Sequence, residues 1–145
     1  MNAPADPQFA SRIRDSFARQ KAMALIGASL ATVGAGVVEI ALPYRDDLTQ
    51  QKGFIHGGII GMIADSAAGY AAYSLMPADC TLVTTEYKIN LLASATSSLI
   101  ARGEVVKAGR TLTVARAEVY AVDRTHIATM QQTLMMLSGR TDQRE

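Results

Sequence analysis

The sequence predicts an α+β domain in which a mostly antiparallel sheet of about six strands curls around one long apolar helix. Three observations carry that prediction. Residues 58–76 are apolar on every side apart from one carboxylate, the residues after Asp79 switch to a two-residue period, and the later apolar runs are separated by hairpin-sized turns. A helix without a polar face must be buried. Strands joined by short turns are antiparallel neighbours, so the sheet has to supply the cover.

Residues 7–21 read as an N-terminal helix, with Phe9, Ile13 and Phe17 on one face and Arg12, Asp15 and Arg19 elsewhere. The uncharged run 22–38 follows Arg12, Arg14, Arg19 and Lys21, as in a membrane anchor or signal peptide. It is poor in Leu and Phe, lies at the short end of what a bilayer requires, and is preceded by Asp6 and Asp15. A soluble helix followed by strands is expected instead. Over 24–43, glycines at 27, 34 and 36 and the alternation of Val38, Ile40 and Leu42 with Glu39 predict two strands with a turn near 33–35. Residues 44–52 form a polar loop. The helix over 58–76 would be about 30 Å long and stops at Pro77.

In 81–92, Val83, Thr85, Tyr87, Ile89 and Leu91 alternate with Thr84, Glu86, Lys88 and Asn90, the pattern of a strand with one buried face. Further strands are expected near 98–107, 111–122 and 127–137, separated by AGR at 108–110 and DRT at 123–125. The 145 residues suit a single domain over 1–145, with 1–6 and 141–145 frayed.

A net charge of +1, no Trp and no basic run interleaved with aromatics give no electrostatic footprint for nucleic acid. Cys80 has no cysteine to pair with. One Cys with His56 and His126 cannot build a structural zinc site, and a reducing cytoplasm fits.

Asp65 stands in the middle of the apolar helix. A carboxylate there is costly unless it is paired, hydrated or neutralised, which makes it a candidate for a raised pKa and for general-base or nucleophilic work; a buried structural acid held by Ser66, Tyr73 or a backbone amide is the alternative. Gly57 and Gly58 open the helix, where free N–H groups and the positive end of the dipole suit a developing oxyanion. They would also serve simply to make the turn. Asp65 lies eight residues beyond Gly57, about 12 Å along one helix, too far to act on the same carbon. Two copies with antiparallel central helices would bring one Asp65 to the other's Gly57. His56 is placed to hydrogen-bond at the helix start or to act on a leaving group. Lys107, Arg110 and Arg102 lie on or beside the AGR hairpin and could hold phosphates. Met62, Tyr70 and Tyr73 are expected in the core.

The stretch HGGIIGMIADSAAGYA, with His56-Gly57-Gly58 and then Asp65 nine residues after the histidine, resembles the signature of the PaaI-like acyl-CoA thioesterases of the hotdog fold. The similarity extends to VTTEYKINLL at 83–92 and VVKAGRTLTVA at 105–115, while ASATSS after Leu92 departs from a proline-containing turn. The resemblance implies a homodimer or homotetramer with active sites between subunits, and hydrolysis of an acyl-CoA without a cofactor. It implies Asp65 as the catalytic carboxylate, Gly57 as the donor to the thioester carbonyl, Gln50 beside the site and Thr84 holding the attacking water. Two other functions share the scaffold: a hydratase or dehydratase pairing a histidine with an acid, and a non-catalytic acyl-CoA-binding module.

Overall fold

The computed structural model describes residues 3–143. Six strands form one antiparallel sheet in the order β1-β2-β4-β5-β6-β3, with β1 Ser29–Gly34, β2 Val37–Leu42, β3 Cys80–Leu91, β4 Leu99–Ala108, β5 Leu112–Ala121 and β6 His126–Ser138. Helix α1, Phe9–Arg19, is followed at once by α2, Lys21–Ile26, and the central helix α3 runs over Gly57–Tyr73. The sheet curves around α3, as predicted.

Small residues govern the contact between helix and sheet. Ala64, Ala67, Ala68 and Ala71 of α3 and Ala101, Ala115 and Ala117 of the sheet are fully buried. Gly103 of β4 lies so close to α3 that an added Cβ would sit 2.2 Å from the carbonyl of Ala67. Helix backbone therefore rests directly on the sheet.

The structure corrects several local expectations. Residues 24–26, expected at the start of a strand, belong to α2, where Met23 and Ile26 are buried three residues apart and left-handed Gly27 ends the helix. The first hairpin turns at Ala35 and Gly36, the latter at φ +75°, slightly later than predicted. Helix α3 stops at Tyr73, a turn before Pro77. Its last carbonyl and the turn beyond it are held by Arg12, which donates to the carbonyls of Tyr73, Met76 and Pro77 at 3.1, 2.8 and 2.6 Å and lies 4.3 Å over the Tyr73 ring.

Strand β3 departs most from its pattern. A bulge between Thr84 and Glu86 adds an unpaired residue, so the side-chain alternation reverses there. Thr84 shares the helix-facing side with Tyr87 and Leu91, while Val83 falls on the other side and is 43% exposed. β3 is also an edge strand, and Tyr87 and Leu91 remain 47% and 53% exposed in the single chain. The expected fraying at 1–6 and 141–145 falls partly outside the described residues. Within them, Asp6 is buried 3.3 Å from Arg12 and Asp142 pairs with Arg19 at 2.7 Å. No helix among the described residues is long and apolar enough to cross a membrane.

Replacing Gly103 tests the depth of the helix. Gly103→Ala would drive a methyl group into α3 backbone and should cost about 3 kcal/mol, or roughly 10 °C in Tm. Gly69→Ala, whose added Cβ meets nothing nearer than 3.8 Å, should be neutral or stabilising by up to about 1 kcal/mol. Thermal melts of the two variants check both.

Candidate active site

Asp65 is half-buried and faces a cavity of about 180 Å³. Leu82 and Thr84 of β3 form one wall, Gly69, Tyr70 and Tyr73 of α3 another, and Ser16, Gln20 and Asp142 close the remainder. Tyr70 and Tyr73 are thus buried, as expected, and also line the cavity. The Thr84 hydroxyl donates to Asp65 Oδ1 at 2.8 Å. That contact exists because of the β3 bulge, which turns Thr84 towards the helix. On the opposite strand of the same ladder, Gln132 Nε2 donates to the backbone carbonyl of Asp65 at 3.3 Å.

Burial pushes the Asp65 carboxyl above the ordinary aspartate range, and hydrogen bonding by Thr84 and Gln132 pulls it partway back. The combination suits a base. The acid is less stabilised in its charged form than in water, yet it is oriented by donors at its rim.

At the start of α3, His56 is the N-cap, and its Nδ1 accepts from the Gly58 N–H at 2.8 Å. Two consequences follow. The Gly58 N–H, expected to help bind substrate, is already occupied, and a neutral His56 carries its proton on Nε2. The Gly57 N–H has no hydrogen-bond acceptor among the described residues. It borders a shallow groove of about 320 Å³ shared with Gln50, Ile60 and residues 91–95. Gln50 Oε1 accepts from the Lys52 N–H, which leaves its amide N–H groups as the donors it can offer.

The nine residues singled out from sequence therefore fall into separate sets. Asp65 and Thr84 meet in one cavity, and Gly57, Gln50 and His56 cluster around the helix start, with His56 and Gly58 joined to each other. Within one chain the two halves stay about 12 Å apart along α3. Lys107 and Arg110 are exposed at the β4–β5 hairpin and line neither cavity. Arg102 is paired with Glu39 at 3.1 Å across β2 and β4. Among the described residues, no group of three or more His, Cys, Asp or Glu could hold a metal.

Sequence reasoning missed Gln132, Ser16 and Gln20. The first had a readable signal: in the strand predicted over 127–137 it occupies the same parity as Met130 and Leu134, a polar residue where an apolar one is due. Ser16 and Gln20 carried none, since only the packing of α1 against α3 makes them cavity walls.

The raised carboxyl has a thermodynamic consequence. Between the ordinary aspartate range and the higher folded value, the native state binds more protons than the unfolded chain, so stability falls as pH rises through that window. Asp65→Asn removes this loss and can still accept from Thr84. Its Tm should exceed that of the parent at neutral pH, and the gap should close on acidification below the ordinary aspartate range; thermal melts from pH 3 to pH 8 measure it.

A family model described as Thioesterase superfamily matches residues 52–128, more than half of the chain. A thioesterase family protein from Silicibacter pomeroyi is 50% identical, with a TM-score of 0.88 over 90% of this chain and 99% of its own. The PaaI protein of Escherichia coli, from the phenylacetic acid degradation operon, shares the fold at a TM-score of 0.86 over 94% of this chain and 98% of its own, at 16% identity. A Halobacterium salinarum protein provisionally named an esterase is 30% identical over 67% of this chain and 68% of its own. The family match covers the helix that carries Gly57 and Asp65, and the chain belongs to the Thioesterase superfamily, a hydrolase family, with the hotdog fold of PaaI.

Proposed function

We propose that the protein hydrolyses acyl-CoA thioesters to a carboxylic acid and CoA at sites shared between two subunits. The observation that carries this reading is the Asp65–Thr84 pair, a half-buried carboxylate of raised pKa held at the rim of a cavity. The attacking water sits against the second oxygen of the Asp65 carboxylate, whose first oxygen is held by Thr84. Asp65 takes its proton as the water oxygen bonds to the thioester carbon, and the carbonyl electrons move onto an oxygen held by the Gly57 N–H of the other subunit. Collapse of that intermediate breaks the C–S bond, and the proton taken by Asp65 passes to the departing CoA sulfur, which restores the carboxylate. His56 Nε2–H and the Gln50 amide stand beside Gly57 as further donors.

The edge of β3 supports the shared site. A long edge strand with exposed Val83, Tyr87 and Leu91 invites pairing. A second copy adding its own β3 antiparallel would cover these residues and set the two α3 helices antiparallel, as the reach from Gly57 to Asp65 demands. A pair of such dimers would make a tetramer. The acyl group occupies the cavity beyond Asp65; at about 180 Å³ it is close to the ~150 Å³ that holds a benzene ring, which suits an aryl-acyl or short acyl group. Lys107 and Arg110 reach the CoA phosphates, and Arg102, already paired with Glu39, contributes least. The enzyme works in the cytoplasm with Cys80 reduced.

Complementation between inactive chains tests the shared site. Asp65→Asn should lower kcat by about 10²-fold. Gly57→Pro deletes the free N–H at a first helical position, where proline is tolerated: His56 already has the extended backbone that precedes proline, at φ −58° and ψ 135°, and an added Cβ closely meets only the exposed end of Leu91. Co-expressed, the two chains form mixed dimers with one intact site of two. Random exchange should restore about a quarter of parental activity, measured with a panel of acyl-CoA esters and a thiol-reactive dye. Mixed dimers, confirmed by mass, that stay as inactive as either parent would rule out the shared site. A protein that binds acyl-CoA and hydrolyses none would be a binding module.

The phosphate contacts have their own test. Lys107→Ala with Arg110→Ala should raise KM for acyl-CoA several-fold and leave a truncated pantetheine thioester unchanged. Equal losses on both substrates would exclude a phosphate role.

A further inference from the structure

Gln132 is the largest fully buried polar side chain among the described residues. It sits in β6 between Met130 and Leu134, opposite Ala115 of β5 and Tyr87 of β3, on the floor beneath α3. Its Nε2 donates to the carbonyl of Asp65 at 3.3 Å, and an added Cβ at Gly69, one turn later, would lie 4.0 Å from the same nitrogen. The carbonyl can only accept, so the NH₂ end of the amide must face the helix. Oε1 then points into the core without a partner.

A buried polar atom without a partner is destabilising. Packing alone would place Leu or Met at this position, as it does at Leu134 and Met130 on either side. We infer that Gln132 is a positioning residue for Asp65: its amide pins, through the backbone carbonyl, the helical turn that carries the acid and so holds the carboxylate against Thr84. The two donors come from neighbouring strands of one ladder, and both oppose the effect of burial on the carboxyl. The other titratable groups around the cavity are Tyr70 and Tyr73 of α3 and Asp142, which is paired with Arg19 of α1.

The inference rests on the base role proposed for Asp65, and its test separates the two. Gln132→Met removes the amide at similar length, with Gln132→Leu as a second variant should Met pack poorly. Carboxyl ¹³C NMR, with the Asp65 signal assigned by its absence in Asp65→Asn, follows Asp65 apart from Asp142. Loss of the donor should move the Asp65 midpoint to higher pH. The acid limb of kcat/KM should move with it, costing about tenfold in rate on that limb and less than threefold on the plateau, while Tm is unchanged or higher. An unmoved midpoint and limb with a lowered Tm in both variants would make Gln132 a structural residue only and overturn the inference. If Asp65→Asn keeps its activity, the base role fails, and the NMR midpoint still decides whether Gln132 acts on Asp65.

Discussion

The close approach of α3 to β4 at Gly103 is the constraint on which the rest of the structure depends. With the position of an added Cβ only 2.2 Å from the carbonyl of Ala67, the helix can neither sink further nor roll without meeting strand backbone. Ala67 is two residues from Asp65. The contact that sets helix depth therefore also sets how far the carboxylate stands from Thr84 on one strand and the Asp65 backbone carbonyl from Gln132 on the next. Larger core residues would lift the helix away from the sheet and take Asp65 out of reach of both donors.

Burying a helix this deeply leaves its ends to be satisfied by groups from elsewhere. His56 caps the start from within the same loop. At the other end the cap comes from Arg12, more than sixty residues away. Its guanidinium holds three carbonyls, stacks on Tyr73 and lies 3.3 Å from Asp6, an ion pair too poorly aligned to be a hydrogen bond. This arrangement ties α1 to α3 and brings Ser16 and Gln20 to the cavity, where Ser16 meets the Tyr70 hydroxyl at 3.1 Å and Gln20 accepts from Ser66 at 3.3 Å. A capping interaction at one end of the helix thus builds a wall of the pocket beside Asp65.

The fold was legible because its periods are long and clean: an all-apolar helix and four strands with short separators leave few other arrangements. What the sequence concealed depends on pairing between segments. The β3 bulge forms against β6 and has no local marker, so Val83 and Tyr87 read as one face when the extra residue sets them apart. Helix α2 was hidden inside an apolar run whose strand and helix readings differ only by the spacing of Met23 and Ile26. At the site, Asp65 and Gly57 stood out as residues at odds with their surroundings. The occupied Gly58 N–H and the Arg102–Glu39 pair depend on geometry that spacing alone does not carry.

The proposed division of the site between the two ends of a half-helix has an electrostatic reason. An oxyanion is best held at a helix N-terminus, where the dipole is positive and N–H groups are free. The same field would depress the pKa of a carboxylate placed there and weaken it as a base. Two turns into the helix the field is largely spent, and burial raises the Asp65 carboxyl instead. The oxyanion donor and the base thus need opposite environments, and one helix provides both only at separated points. A two-fold partner brings those points together without changing either environment, so in the proposed dimer the distance between Gly57 and Asp65 along α3 becomes the condition that lets both work on one carbonyl.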